Sequence, residues 1–143
     1  MKRLFALVIA GFFAASTAAL AGDDAAPEPL VRPAGEASLS QFVWKNRLVV
    51  VFADSEGDPR FVEQMALIEA DPGPLTERDV VVLTDSDPAA ESELRQKFRP
   101  RGFMLVLLGK DGNMYLRKPV PWDVREISRS IDKMPIRREE LRN

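Results

Sequence analysis

Three unbroken apolar runs rich in β-branched residues set the framework of this chain: Leu48-Val49-Val50-Val51-Phe52-Ala53, Val80-Val81-Val82-Leu83, and Phe103 through Leu108. Runs without polar alternation are expected of strands buried on both faces. Helical periodicity fills the gaps. Phe61, Met65 and Ile68 recur at i, i+4 and i+7, with Val62 beside them, and Asp58-Pro59 supplies a cap and a first-turn proline. Asp71-Pro72-Gly73-Pro74 stops that helix. Asp87-Pro88 repeats the start signal for a shorter helix carrying Leu94 and Phe98, ended before Pro100. Gly109-Lys110-Asp111-Gly112 predicts a hairpin turn into a strand over 113–118. Val124, Ile127, Ile131 and Met134 mark a last amphipathic helix closed by Pro135.

The predicted order is β-α-β-α-β-β-α. The first two strands need a crossover helix and are expected to be parallel, and the last two form a hairpin. An α/β fold follows, with a four-stranded mixed sheet in the order 4-3-1-2 and helices on both faces.

Ahead of this pattern, Met1-Lys2-Arg3 is basic, and Leu4 to Ala15 is apolar but too short to cross a bilayer comfortably. Ala19-Leu20-Ala21 is a small-x-small cleavage site. Together these read as a cleavable signal peptide over 1–21, so the product is expected to be periplasmic or secreted, with no membrane insertion after cleavage. No cysteine follows the apolar run, which argues against a lipid anchor. Residues 22–38, rich in Pro and Ala, read as a flexible tether. The folded domain is expected over 39–135, and 136–143 reads as a solvated basic tail.

Composition removes whole classes of chemistry. The chain has no cysteine and no histidine. It therefore cannot form a disulfide, run a dithiol cycle, or build an imidazole-based triad or the usual zinc sites. The net charge of −2 becomes more acidic once Lys2 and Arg3 leave with the leader, which argues against a nucleic-acid partner. Phosphate-cradling and dinucleotide glycine motifs are absent, and no cofactor is expected.

The stretch Arg101-Gly102-Phe103-Met104, then apolar residues, then Gly109-Lys110-Asp111-Gly112, resembles the thioredoxin segment that runs Arg-Gly-Ile-Pro-Thr and on to Lys-Asn-Gly. In thioredoxins that proline is cis and lines the active site; Met104 stands there here. Likewise Phe52-Ala53-Asp54-Ser55-Glu56-Gly57-Asp58-Pro59-Arg60 aligns with Trp-Cys-Gly-Pro-Cys-Lys, with Glu56 and Pro59 at the cysteine positions. More narrowly, five pieces resemble an uncharacterised bacterial family of short secreted thioredoxin-like proteins, classed as a domain of unknown function. They are Trp44-x-x-Arg47, Asp58-Pro59-Arg60-Phe61, Glu77-Arg78-Asp79-Val80-Val81-Val82, Gly109-Lys110-Asp111-Gly112 and Met134-Pro135-x-Arg137-Arg138. The resemblance implies a thioredoxin-like fold and assigns no activity, since fold alone licenses none.

In such a sheet, ligands gather beyond the carboxyl ends of the parallel strands. That edge is expected to collect Asp54, Ser55, Glu56, Asp58 and Arg60 after the first strand and Asp85 and Asp87 after the second. The loop before the third strand adds Arg99, Arg101 and Met104. The carboxylates could hold a hard cation such as Ca²⁺ or act as an acid/base pair. The simpler expectation is that Asp58 and Asp87 cap helices and the rest face water, and no metal site or catalytic residue is assigned. Trp44 is expected to pack under the first strand, and Trp122 to be part packing and part exposed. Two functions stay open. One is a redox-inactive module that binds a protein or peptide partner at this edge. The other is a carboxylate-based enzyme, with or without a metal, using Asp54, Glu56, Asp58 and Asp85.

Overall fold

The computed structural model describes residues 26–143. The expected leader and its cleavage site lie outside that range. Five strands form one mixed sheet: β1 (Val31–Pro33), β2 (Arg47–Phe52), β3 (Val80–Asp85), β4 (Met104–Leu108) and β5 (Met114–Lys118), in the order β1-β3-β2-β4-β5. β2 runs parallel to β3 and antiparallel to β4, and β4 and β5 form the hairpin. These four strands stand in the expected relative order.

The expected four-stranded sheet is corrected to five. β1 adds to the edge, parallel to β3, from within the segment read as a tether. Val82 N–H bonds to the Leu30 carbonyl and Ala34 N–H to the Thr84 carbonyl, each at 2.8 Å. Ala34 is buried, so this short piece has something to bury after all. Its prolines disguised it, yet an edge strand tolerates a residue without N–H.

Strand alternation sorts the core into two layers. Val49 and Val51 of β2, Val80 and Val82 of β3, and Leu105 and Leu107 of β4 face α1 (Pro59–Ala70), the one-turn α2 (Gly73–Thr76) and α4 (Val124–Asp132). Ile68, Leu75, Ile127 and Ile131 complete that layer. The alternate residues Leu48, Val50, Phe52, Val81, Leu83 and Val106 pack with Phe42 and with Leu94 and Phe98 of α3 (Glu93–Phe98). Every residue of β2 is buried, as a central strand between two neighbours requires.

Local chemistry differs from expectation in three places. Asp87-Pro88 opens only a three-residue 3₁₀ turn, and α3 starts afresh after Ser92, whose hydroxyl accepts from Arg95 N–H. The C-terminal segment forms α5 (Pro135–Glu140) rather than a solvated tail. Trp44 does not pack under β2: it is 69% exposed, with a left-handed backbone (φ 66°) and its N–H bonded to the Lys110 carbonyl.

At the amino ends of β2 and β3, charges interlock. The Arg47 guanidinium is wholly buried and donates to the Arg78 carbonyl and to Glu140. Lys110 bridges Asp79 and Glu140 at 2.9 and 2.8 Å. Arg78 forms a two-pronged pair with Asp132, and Arg137 reaches both Asp132 and Glu140. Four of the five sequence pieces that carry the family resemblance thus meet at one end of the sheet, away from the expected ligand edge. In the hairpin above them, Gly112 takes φ 79°, and a Cβ on Gly109 would lie 2.6 Å from the Tyr115 ring.

Candidate functional site

The carboxyl ends of β2 and β3 do bring the predicted residues to one edge, but in two differently built groups. Phe52 pairs with Asp85 on one side and with Met104 on the other, so these three line up across the sheet on the α3 face. Asp85 is buried, against the expectation that it faces water. Its carboxylate receives the Ser92 hydroxyl and the Arg95 guanidinium, the latter at 3.0 Å. Arg95 also donates to the carbonyls of Ala53 and Asp85 and lies over the Phe52 ring, its centre 5.5 Å away. Burial by itself pushes the Asp85 carboxyl up. The hydrogen bonds from Arg95, Ser92 and Asp87 N–H outweigh that, so it titrates below the usual carboxylate value. Asp85 is a strand-end clasp, not an accessible acid or base. Met104, at the thioredoxin proline position, is half-buried against the same cluster.

The second group belongs to the loop after β2. Asp54, Ser55 and Glu56 are exposed. Asp58 caps α1 by accepting from Arg60 N–H at 2.9 Å and also takes the Arg60 guanidinium at 3.3 Å. These bonds from Arg60 lower its carboxyl value. The Arg60 guanidinium lies 5.9 Å from the Phe103 ring centre and close to Gly102, joining α1 to the loop before β4. Arg101 in that loop is exposed. Asp87 caps its turn through Ala89 N–H, as expected.

Of the predicted carboxylates, Asp58 and Asp85 are therefore committed to arginines, and Asp54 and Glu56 are open to solvent. Among the described residues, no three His, Cys, Asp or Glu side chains are grouped to hold a metal ion. Glu56 borders two adjoining surface grooves. One, of about 430 Å³, lies between α1 and the sheet edge; the other, of about 250 Å³, runs past Thr84 and Asp85 to Ser92.

Several residues that build this edge escaped sequence reasoning. Arg95 and Ser92 hold Asp85, and the Ser immediately before an apolar helical pattern was a readable cap signal. Gln64 is fully buried in the apolar phase of α1, where its amide exchanges two hydrogen bonds with the Trp122 backbone at 2.7 and 2.9 Å. A polar residue between Phe61 and Ile68 on a core stripe was its signal. Trp122 is partly buried against the core, with the Lys118 ammonium 4.9 Å from its ring centre.

Comparison with known proteins places these features. A family model described as "Domain of unknown function (DUF4174)" matches residues 38–140. The chain is similar in structure to the reduced 2-Cys peroxiredoxin of Plasmodium vivax, at 15% identity over 73% of this chain and 85% of that one, with a TM-score of 0.56. It is also similar to the reduced desulfothioredoxin of Desulfovibrio vulgaris Hildenborough (16% identity, 73% and 97% coverage, TM-score 0.51). The pneumococcal exposed lipoprotein thioredoxin of Streptococcus pneumoniae is a further neighbour (15% identity, 67% and 90% coverage, TM-score 0.50). Identities this low establish the fold alone, which is thioredoxin-like.

Proposed function

The chain belongs to the DUF4174 family, whose description assigns no activity, and from that premise we propose that it is an exported, redox-inactive thioredoxin-like module that binds a protein or peptide partner at the carboxyl edge of β2 and β3. The scaffold keeps its architecture while Glu56 and Pro59 stand where the resemblance puts the two thiols, and the whole sequence lacks cysteine. Export is inferred from the basic start, apolar run and Ala19-Leu20-Ala21 site.

The exposed Glu56, shared by two open grooves at the strand ends, supports this function most directly. Concave surface with convergent polar groups is where ligands are held. Carboxylate catalysis has less support, because two of its four acids, Asp58 and Asp85, are already bonded to Arg60 and Arg95.

The test is a photo-crosslinking residue placed at the exposed Ser55, beside Glu56, in the chain expressed in intact cells, with a second placed at the exposed Arg129 of α4 as a comparison. Discrete adducts at position 55 that Arg101→Ala diminishes support the proposal. Equal labelling at both positions, or none at 55, refutes it.

A further inference from the structure

The groove between α1 and the sheet edge is built asymmetrically in charge. Its walls are apolar: Phe61, Val62, Met65 and Ala66 from α1, with Val31 of β1 and Thr84 of β3 opposite. Phe61 and Met65 are half-buried, whereas Val62 is 54% exposed, with Ala66 exposed one turn on. The remaining lining residues are carboxylates, Glu56 and Glu69, and no cation lines the groove.

The cations on the two elements that carry most of the groove wall, α1 and β1, are committed elsewhere. Arg60, the one basic residue of α1, is held by Asp58 and lies over Phe103. Arg32 of β1 pairs with Glu28 and lies over Phe42, which belongs to the opposite layer of the core. The two acids stand at opposite ends. Glu56 precedes the helix, which starts at Pro59, and Glu69 lies ten residues beyond that start, about 15 Å along the axis. An extended segment rises about 3.3 Å per residue, so roughly five residues span that length.

Resting on the binding function proposed above and narrowing its ligand, we propose that this groove takes a short extended peptide segment, apolar at its centre, with Lys or Arg on either side. The apolar side chains seat on Val62, Met65 and Val31, and the flanking cations reach Glu56 and Glu69. Groove-facing acids with no competing cation favour a basic ligand and disfavour an acidic one.

The experiment is fluorescence anisotropy on the purified chain with three labelled pentapeptides: Lys-Val-Leu-Val-Lys, Glu-Val-Leu-Val-Glu and Lys-Ser-Gly-Ser-Lys. The first is expected to bind at least about tenfold tighter than the other two. Glu69→Lys is expected to weaken it by about tenfold and Val62→Ser by about fivefold, both at surface positions where the melting temperature should hold. Arg129→Ala is expected to change nothing. Equal binding of the acidic peptide, or full affinity in both groove variants, overturns the proposal. If no pentapeptide binds while crosslinking at position 55 succeeds, the groove assignment falls and the module function stands. Loss of binding in Glu56→Ala and Arg101→Ala but not in Glu69→Lys has the same meaning.

Discussion

Arg47 and Glu140 are 93 positions apart in sequence and 3.1 Å apart in space. The contact ties the first residue of the central strand to the last residue of α5, and both side chains have further partners. Glu140 keeps Lys110 and Arg137 when Arg47 is removed. Arg47→Ala is therefore expected to cost about 2–4 kcal/mol, through a lost buried pair and a cavity. Arg47→Met, which refills the volume, should recover on the order of 1–2 kcal/mol of that. Urea denaturation of the two variants checks the order, and equal losses would contradict it.

The core and the binding edge should separate cleanly under mutation. Ile127 is fully buried on α4. Ile127→Ala is expected to cost about 2–5 kcal/mol. Glu56 is exposed, and Glu56→Ala should change stability by no more than about 0.5 kcal/mol. Thermal melts of both variants decide this.

Acid should weaken the strand-end clasp. The Asp85 carboxyl is lowered in the folded state, because bonds from Arg95 and Ser92 outweigh the upward push of burial. A lowered folded value contributes stability that is complete above the unfolded value of about 4 and disappears as pH falls through the folded one. Asp85→Asn should cost about 1–3 kcal/mol near neutrality. Its difference from the parent should shrink steadily below about pH 4. A gap that stays constant in denaturation curves down to about pH 2.5 would rule out this linkage.

The exported form is expected to begin at Gly22. Intact-mass spectrometry of protein recovered from outside the cytoplasm reads the start directly. A terminus several residues away contradicts the cleavage site, and retained Met1 contradicts export.

Clean protein is expected to show no catalytic reduction of insulin disulfides, since no residue supplies a thiolate. Its five methionines can be oxidised but cannot cycle as a dithiol does. Turnover that tracks the protein through purification would overturn the assignment.

The central strands were legible because Val49-Val50-Val51 and Val80-Val81-Val82 leave a buried parallel pair almost no alternative. β1 was not, because three residues beside prolines carry no periodicity and gain their place only by pairing with β3. Trp44 was misjudged for a related reason. Large aromatics are usually buried, but the turn into β2 demands a left-handed residue whose N–H meets Lys110, and that geometry turns the indole outward. At the candidate edge, the caps Asp58 and Asp87 followed from the prolines beside them. The fate of Asp85 depended on Arg95, ten residues away and outside any local motif. The groove along α1 could be found only once β1 had supplied its second wall.

The three-residue length of β1 also bears on how these molecules coexist at high concentration. An open sheet margin can template a neighbour's strand and grow into polymers. Here one margin is a stub ending in Pro33, which has no N–H to offer, and the other, β5, carries Arg117 and Lys118 at its end. Both margins of the sheet therefore carry features that discourage strand-on-strand growth.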